Sequence, residues 1–112
     1  MLIVVAGPYS ADTEEKKAKN LEAMNIAAAE VYRKGHIPVI GVNAAVFVAD
    51  ELKDIDRHEV INNISFAIVE KCDAILMIGS SKGADMERDI IKTKGLPVYY
   101  SLDEIPAAKE IK

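Results

Sequence analysis

Apolar positions in this chain follow two rhythms. Leu2–Ala6 and Ala74–Ile78 are uninterrupted aliphatic runs that lack the polar alternation of half-exposed strands, so both predict strands covered on two faces. Elsewhere the spacing is helical. Leu21, Met24, Ala28 and Val31 recur along one stripe that stops at Lys34-Gly35, and Asp12 followed by Glu15 has the form of a capping box at its start. Val60, Ile61, Ile64 and Ile68 mark a second helix from about Asp56 to Lys71, and a third runs from the Gly79–Gly83 turn to Lys94-Gly95. Ile37–Ile40 and Pro97–Tyr100 read as short strands. In Asn43–Leu52, Ala44, Val46, Phe47 and Val48 crowd more than one helical face, which suits either a core helix or a subunit contact.

The resulting order is β-α-β-α-β-α-β, which calls for parallel strands joined by right-handed crossovers with helices on both faces. Pro38 and Pro97 cannot donate to a ladder, so the two strands that hold them belong outside. The two clean runs then lie side by side in the centre, giving an α/β, three-layer, flavodoxin-like or Rossmann-like sandwich of order 2-1-3-4, to which a fifth strand could be added. The topological switch point falls between the first and third strands, beyond their carboxyl ends, where ligands of open α/β sheets bind. The turns Gly7-Pro8-Tyr9-Ser10 and Gly79–Gly83 both open there.

Composition narrows the class. With 112 residues, half of them hydrophobic, the chain fits one domain over 1–112. A net charge of -4 and the lack of a Lys/Arg cluster argue against nucleic-acid binding, while a small phosphorylated ligand stays compatible, since backbone N–H groups at a helix start can hold an anion. The lone Cys72 leaves no internal disulfide, no run approaches a membrane span, and Met1–Ala6 is too short for a signal peptide, so a cytoplasmic location is expected. His36 and His58 have no partner at metal-ligand spacing, so neither a metal nor a cofactor is expected. Cys72 reads as core and Asp73, at the opposite end of the sheet, as structural.

The chemistry concentrates on the helix after Gly83. Projected at about 100° per residue, Met86, Ile90 and Ile91 form its buried stripe with Glu87 in the middle, while Asp85, Arg88 and Asp89 point away. Glu87 is then either an anion poised at a pocket, its ionised form favoured in a helix's first turn, or a plain capping or charge-pair residue. Tyr9 either projects over the switch point or covers the sheet end, and Ser10 either meets a ligand or caps a helix. Ser81 and Gly83 either cradle a phosphate or hydroxyl or simply shape the turn.

Ala6-Gly7-Pro8-Tyr9-Ser10, a central apolar strand and Ser81-x-Gly83-Ala84-x-x-Glu87 together resemble the nucleoside 2-deoxyribosyltransferase superfamily, and look closest to a small DUF4406-like branch of it. The resemblance spans nearly the whole chain in element order, although each motif is short. It implies cleavage or transfer at an N-glycosidic bond, with Glu87 as nucleophile or oxocarbenium stabiliser and Tyr9 orienting its carboxylate. Gly7, Pro8, Ser10, Asn43, Ser81 and Gly83 would contact a nucleoside or its 5′-monophosphate. Ser81 matches a position where monophosphate glycosidases use serine, Ser10 stands where those hydrolases have arginine, and an aspartate that contacts the base falls near Ser65, leaving the leaving-group acid unassigned. The superfamily also implies a dimer or larger homo-oligomer. Two rivals are a non-catalytic nucleotide-binding module of the same fold and a phosphoribohydrolase whose glycine-threonine-x-x-glutamate element shares the spacing of Gly83 to Glu87.

Overall fold

A computed structural model describes residues 1–108. The chain runs β1 (Leu2–Ala6), α1 (Glu14–Arg33), β2 (Ile37–Val39), α2 (Gly41–Glu51), α3 (Arg57–Val69), β3 (Ala74–Met77), α4 (Lys82–Thr93) and β4 (Val98–Tyr99), ending in a 3₁₀ turn at Leu102–Glu104. The four strands form one all-parallel sheet of order β2-β1-β3-β4. Pro38 lies in one edge strand, as its missing ladder donor requires, and the short β4, with Pro97 just before it, forms the other edge. Among the described residues no fifth strand follows; Ile105 turns back into the core instead, 1% exposed.

The period of two along each strand sorts the core into two layers. Ile3, Val5, Ala74 and Leu76 face α1 and pack on Met24, Ala28 and Val31. Val4, Ala6, Ile75 and Met77 face the other way, onto Val69, Cys72, Ala84 and Ile91 from α3 and α4 and the turn between α3 and β3. Ile3 pairs with Ala74 and Ala6 with Met77, so the carboxyl ends of the two central strands come level. Each fully buried Val or Ile contributes on the order of 2 kcal/mol, which makes these two layers the main stabilising element.

Local chemistry moves several boundaries. The N-cap of α1 is Thr13, whose hydroxyl accepts from the Lys16 amide at 3.1 Å, while the expected cap Asp12 pairs with the Lys16 ammonium. Gly35, at φ 90°, ends that helix in a conformation open to glycine at little cost. β2 and β3 each stop one residue short of the expected span, because Ile40 begins α2 and Ile78 leaves the sheet. The ambiguous Asn43–Leu52 segment is helical, with Ala45 and Ala49 buried; Phe47, 77% exposed, and Val48 lie on its open side. On α3 the buried residues are Val60, Ser65 and Val69, and the expected Ile61, Ile64 and Ile68 are only half-buried.

Candidate functional site

The turns after β1 and β3 pack directly on one another. A methyl group on Gly7 would lie 2.7 Å from Ile78 Cγ1, and one on Gly79 would lie 2.8 Å from Pro8 Cδ. Both glycines therefore answer to turn-on-turn contact. Behind this contact a cavity of about 410 Å³ opens over the carboxyl end of β1, walled by the β1–α1 turn, the start of α2, one face of α3 and the beginning of α4.

Of the expected site residues, Gly7, Tyr9, Ser10, Ser81, Gly83 and Glu87 line this cavity. Two do not. Pro8 is taken up by Gly79, and Asn43 lies in the first turn of α2, where its side-chain amide donates to Asn25 Oδ1 at 3.0 Å. Ser81 is the N-cap of α4, its Oγ accepting from the Ala84 amide at 3.1 Å, which leaves the O–H free to donate. A side chain at Gly83 would meet no protein atom within 4 Å, so glycine there keeps open space beside the cavity.

Glu87 is the single carboxylate among the described residues that line the cavity. Because Ser81 caps the helix, Glu87 falls in the second turn of α4. The free N–H groups and the positive dipole end, which would have favoured its ionised form, lie a turn away, and their effect fades within the first turn. Desolvation dominates instead and pushes the Glu87 carboxyl up to about 7. Met86 is not part of the inward stripe, being 43% exposed; Ala84 and Ile91 are the fully buried members. Asp85 turns away, accepting from Ser80 Oγ at 2.9 Å. No hydrogen bond joins Tyr9 to Glu87 among the described residues. The Tyr9 phenol lies beside the Arg57 guanidinium, which Asp50 first and Tyr9 second hold above its ordinary value.

Apart from Ser65, which the resemblance sets near a base-contacting position, the far wall carries no expected site residue. Arg57, His58, Ile61, Asn62 and Ser65 on α3, with Lys17 and Lys82 at the rim, face the same cavity. Positions 58, 62 and 65 follow the i, i+4, i+7 rule, a polar stripe on α3 beside the apolar one that drew attention. Ser65 is only 3% exposed and meets Gly41 at close range, since a methyl group on Gly41 would lie 2.8 Å from Ser65 Cβ and 3.1 Å from its Cα. Gly41→Ala should therefore push α2 and α3 apart and lower the unfolding free energy by about 1–3 kcal/mol in urea denaturation, although alanine is the better helix former.

The remaining candidates are structural. His36 is buried, Nδ1 lying 2.9 Å from the Met1 amino group and Nε2 2.7 Å from the Pro106 carbonyl oxygen. Asp73 accepts from the Leu2 amide at 2.8 Å and ties the starts of β1 and β3. Burial pushes the Cys72 thiol up to about 11, which keeps it unreactive. Among the described residues no group of three or more His, Cys, Asp or Glu could hold a metal ion, and no helix is long and apolar enough to cross a membrane.

No curated protein matches the chain. A family model does match it over residues 1–101, and the chain belongs to that family, a domain of unknown function, DUF7768.

Proposed function

We propose that the cavity cleaves or exchanges the N-glycosidic bond of a nucleoside or nucleoside 5′-monophosphate, with Glu87 as nucleophile or oxocarbenium stabiliser. The observation that carries this reading is the desolvated, unpartnered Glu87 carboxylate on the cavity wall at the sheet's switch point. Breaking a bond to a nucleobase builds positive charge at the sugar carbon, and a carboxylate about 3 Å away can stabilise or trap it. In the trapping form a Glu87 oxygen bonds to C1′ while the C1′–N electron pair leaves with the base, which takes up a proton. Water or an acceptor base then attacks C1′ and frees the carboxylate. Donors for a departing base are at hand in His58 and Asn62.

Poor solvation makes the Glu87 anion reactive, and a value near 7 leaves about half of it ionised at neutral pH. The test is release of free base from a panel of nucleosides and monophosphates, with and without an acceptor base, which also separates hydrolysis from transfer. One observation favours a binding-only module: the Tyr9 phenol lies beside Arg57, and among the described residues no side chain donates a hydrogen bond to the Glu87 carboxylate to aim it. Ligand binding that survives Glu87→Ala, with no turnover by the wild type, would support that alternative.

We also propose a homo-oligomer formed through the exposed apolar side of α2. Phe47 and Val48 give that side its apolar character. Sedimentation should show an assembly in the wild type that Phe47→Glu converts to monomer.

A further inference from the structure

We infer that α3 gives the cavity a two-point register for its ligand, with Arg57 binding a phosphate group and Ser65 taking an uncharged polar edge at the buried end. The inference rests on the proposed function for the identity of the ligand, a nucleoside 5′-monophosphate. Three cations, Lys17, Arg57 and Lys82, line a cavity with one carboxylate, in a chain whose net charge is -4. Arg57 is the best organised of them. Asp50 from the end of α2 pairs with its guanidinium, and Tyr9 from the β1–α1 turn lies beside it. A guanidinium has five N–H donors in a planar fork, so donors remain for bidentate contact with a phosphate.

Ser65 is the independent sign of a ligand. It is 3% exposed and lines the cavity, and among the described residues no hydrogen bond includes its hydroxyl. The hydroxyl opens onto the cavity, where a ligand's polar edge can take the place of water. Eight residues of helix separate the two positions, about 12 Å along the axis at 1.5 Å per residue. The register therefore suits an elongated molecule that is anionic at one end and polar but uncharged at the other.

Calorimetric titration in a Glu87→Gln background, which suppresses turnover, tests this with the common nucleoside 5′-monophosphates, the matching nucleosides and inorganic phosphate. At least one monophosphate should bind about tenfold or more tightly than its nucleoside, as a charge-assisted pair of hydrogen bonds allows. Arg57→Gln should erase that advantage while leaving nucleoside affinity within about twofold, and Arg57→Lys should recover part of it. Ser65→Ala should weaken nucleoside and monophosphate alike. Equal binding of nucleoside and monophosphate with Arg57 in place, equal loss of both in Arg57→Gln, inorganic phosphate binding as tightly as the nucleotide, or no binding by any member of the panel would each overturn the register. Glu87-dependent base release from nucleosides alone would overturn it and leave the proposed function standing. Arg57-dependent monophosphate binding without base release would do the reverse.

Discussion

Glu87→Gln should raise the unfolding free energy by on the order of 1–3 kcal/mol at about pH 8.5 and leave it almost unchanged at about pH 4. The carboxyl of Glu87 sits at about 7 in the folded protein against 4.5 ordinarily, and desolvation is the cause. A group raised on folding contributes its full stability below the unfolded value, and that contribution is lost as pH rises through the folded one. The window is therefore about pH 4.5 to 7. Below it Glu87 and glutamine are both neutral and nearly isosteric; above it only Glu87 holds a poorly solvated charge. A shift from 4.5 to about 7 corresponds to on the order of 3 kcal/mol, and solvent reaching a half-buried group lowers the observed value. Urea denaturation of both proteins at the two pH values measures the difference. Equal stabilities throughout would show a well-solvated carboxylate and remove the physical basis for its reactivity.

The second large effect is on rate. If the ionised Glu87 is the reacting form, base release should rise with pH and level off above an apparent pKa near 7, the value that desolvation sets. Each unit below that point costs about tenfold, so the rate at pH 5 should be roughly a hundredfold below the plateau. A profile that falls above pH 7 instead would make the protonated carboxyl the working form and give Glu87 the role of general acid. Sub-saturating substrate is needed, since kcat/KM reports the ionisation of the free enzyme, to which the value near 7 belongs.

The fold was legible because its strongest signals are local. Two uninterrupted apolar runs placed β1 and β3 in the centre, and Pro38 and Pro97 put the other strands outside, which was enough for the order 2-1-3-4. Glu87 was legible as an inward carboxylate because helical periodicity is coarse enough to survive an error at the helix start. The error lay in Ser81. The Ser81 hydroxyl caps α4 from within the 79–83 turn, which sets Glu87 a turn deeper than its spacing from Gly83 implies and puts desolvation in place of a stabilising dipole.

What stayed hidden depends on contacts between distant segments. Gly7 reads as a ligand-contacting glycine, and only the assembled turns show that Gly7 and Gly79 each accommodate the other's neighbour. Arg57 and Asp50 pair across the loop between α2 and α3, which no pattern within one helix marks. The resemblance sets Ser65 near a base-contacting position, and its burial becomes visible only with Gly41 packed against it and the cavity on its other side. The polar stripe at 58, 62 and 65 was the one available signal, and the apolar stripe beside it masked it.

The central claim is that the Glu87 carboxylate acts on an N-glycosidic bond, and chromatographic detection of free base tests it most directly. Wild type and Glu87→Gln are incubated with the nucleoside and 5′-monophosphate panel near pH 8, with and without an acceptor base. The account predicts base release from at least one substrate by the wild type and a loss of about a thousandfold or more in Glu87→Gln, the scale expected when a nucleophile is removed. No release from any substrate, or release that Glu87→Gln leaves intact, would contradict it.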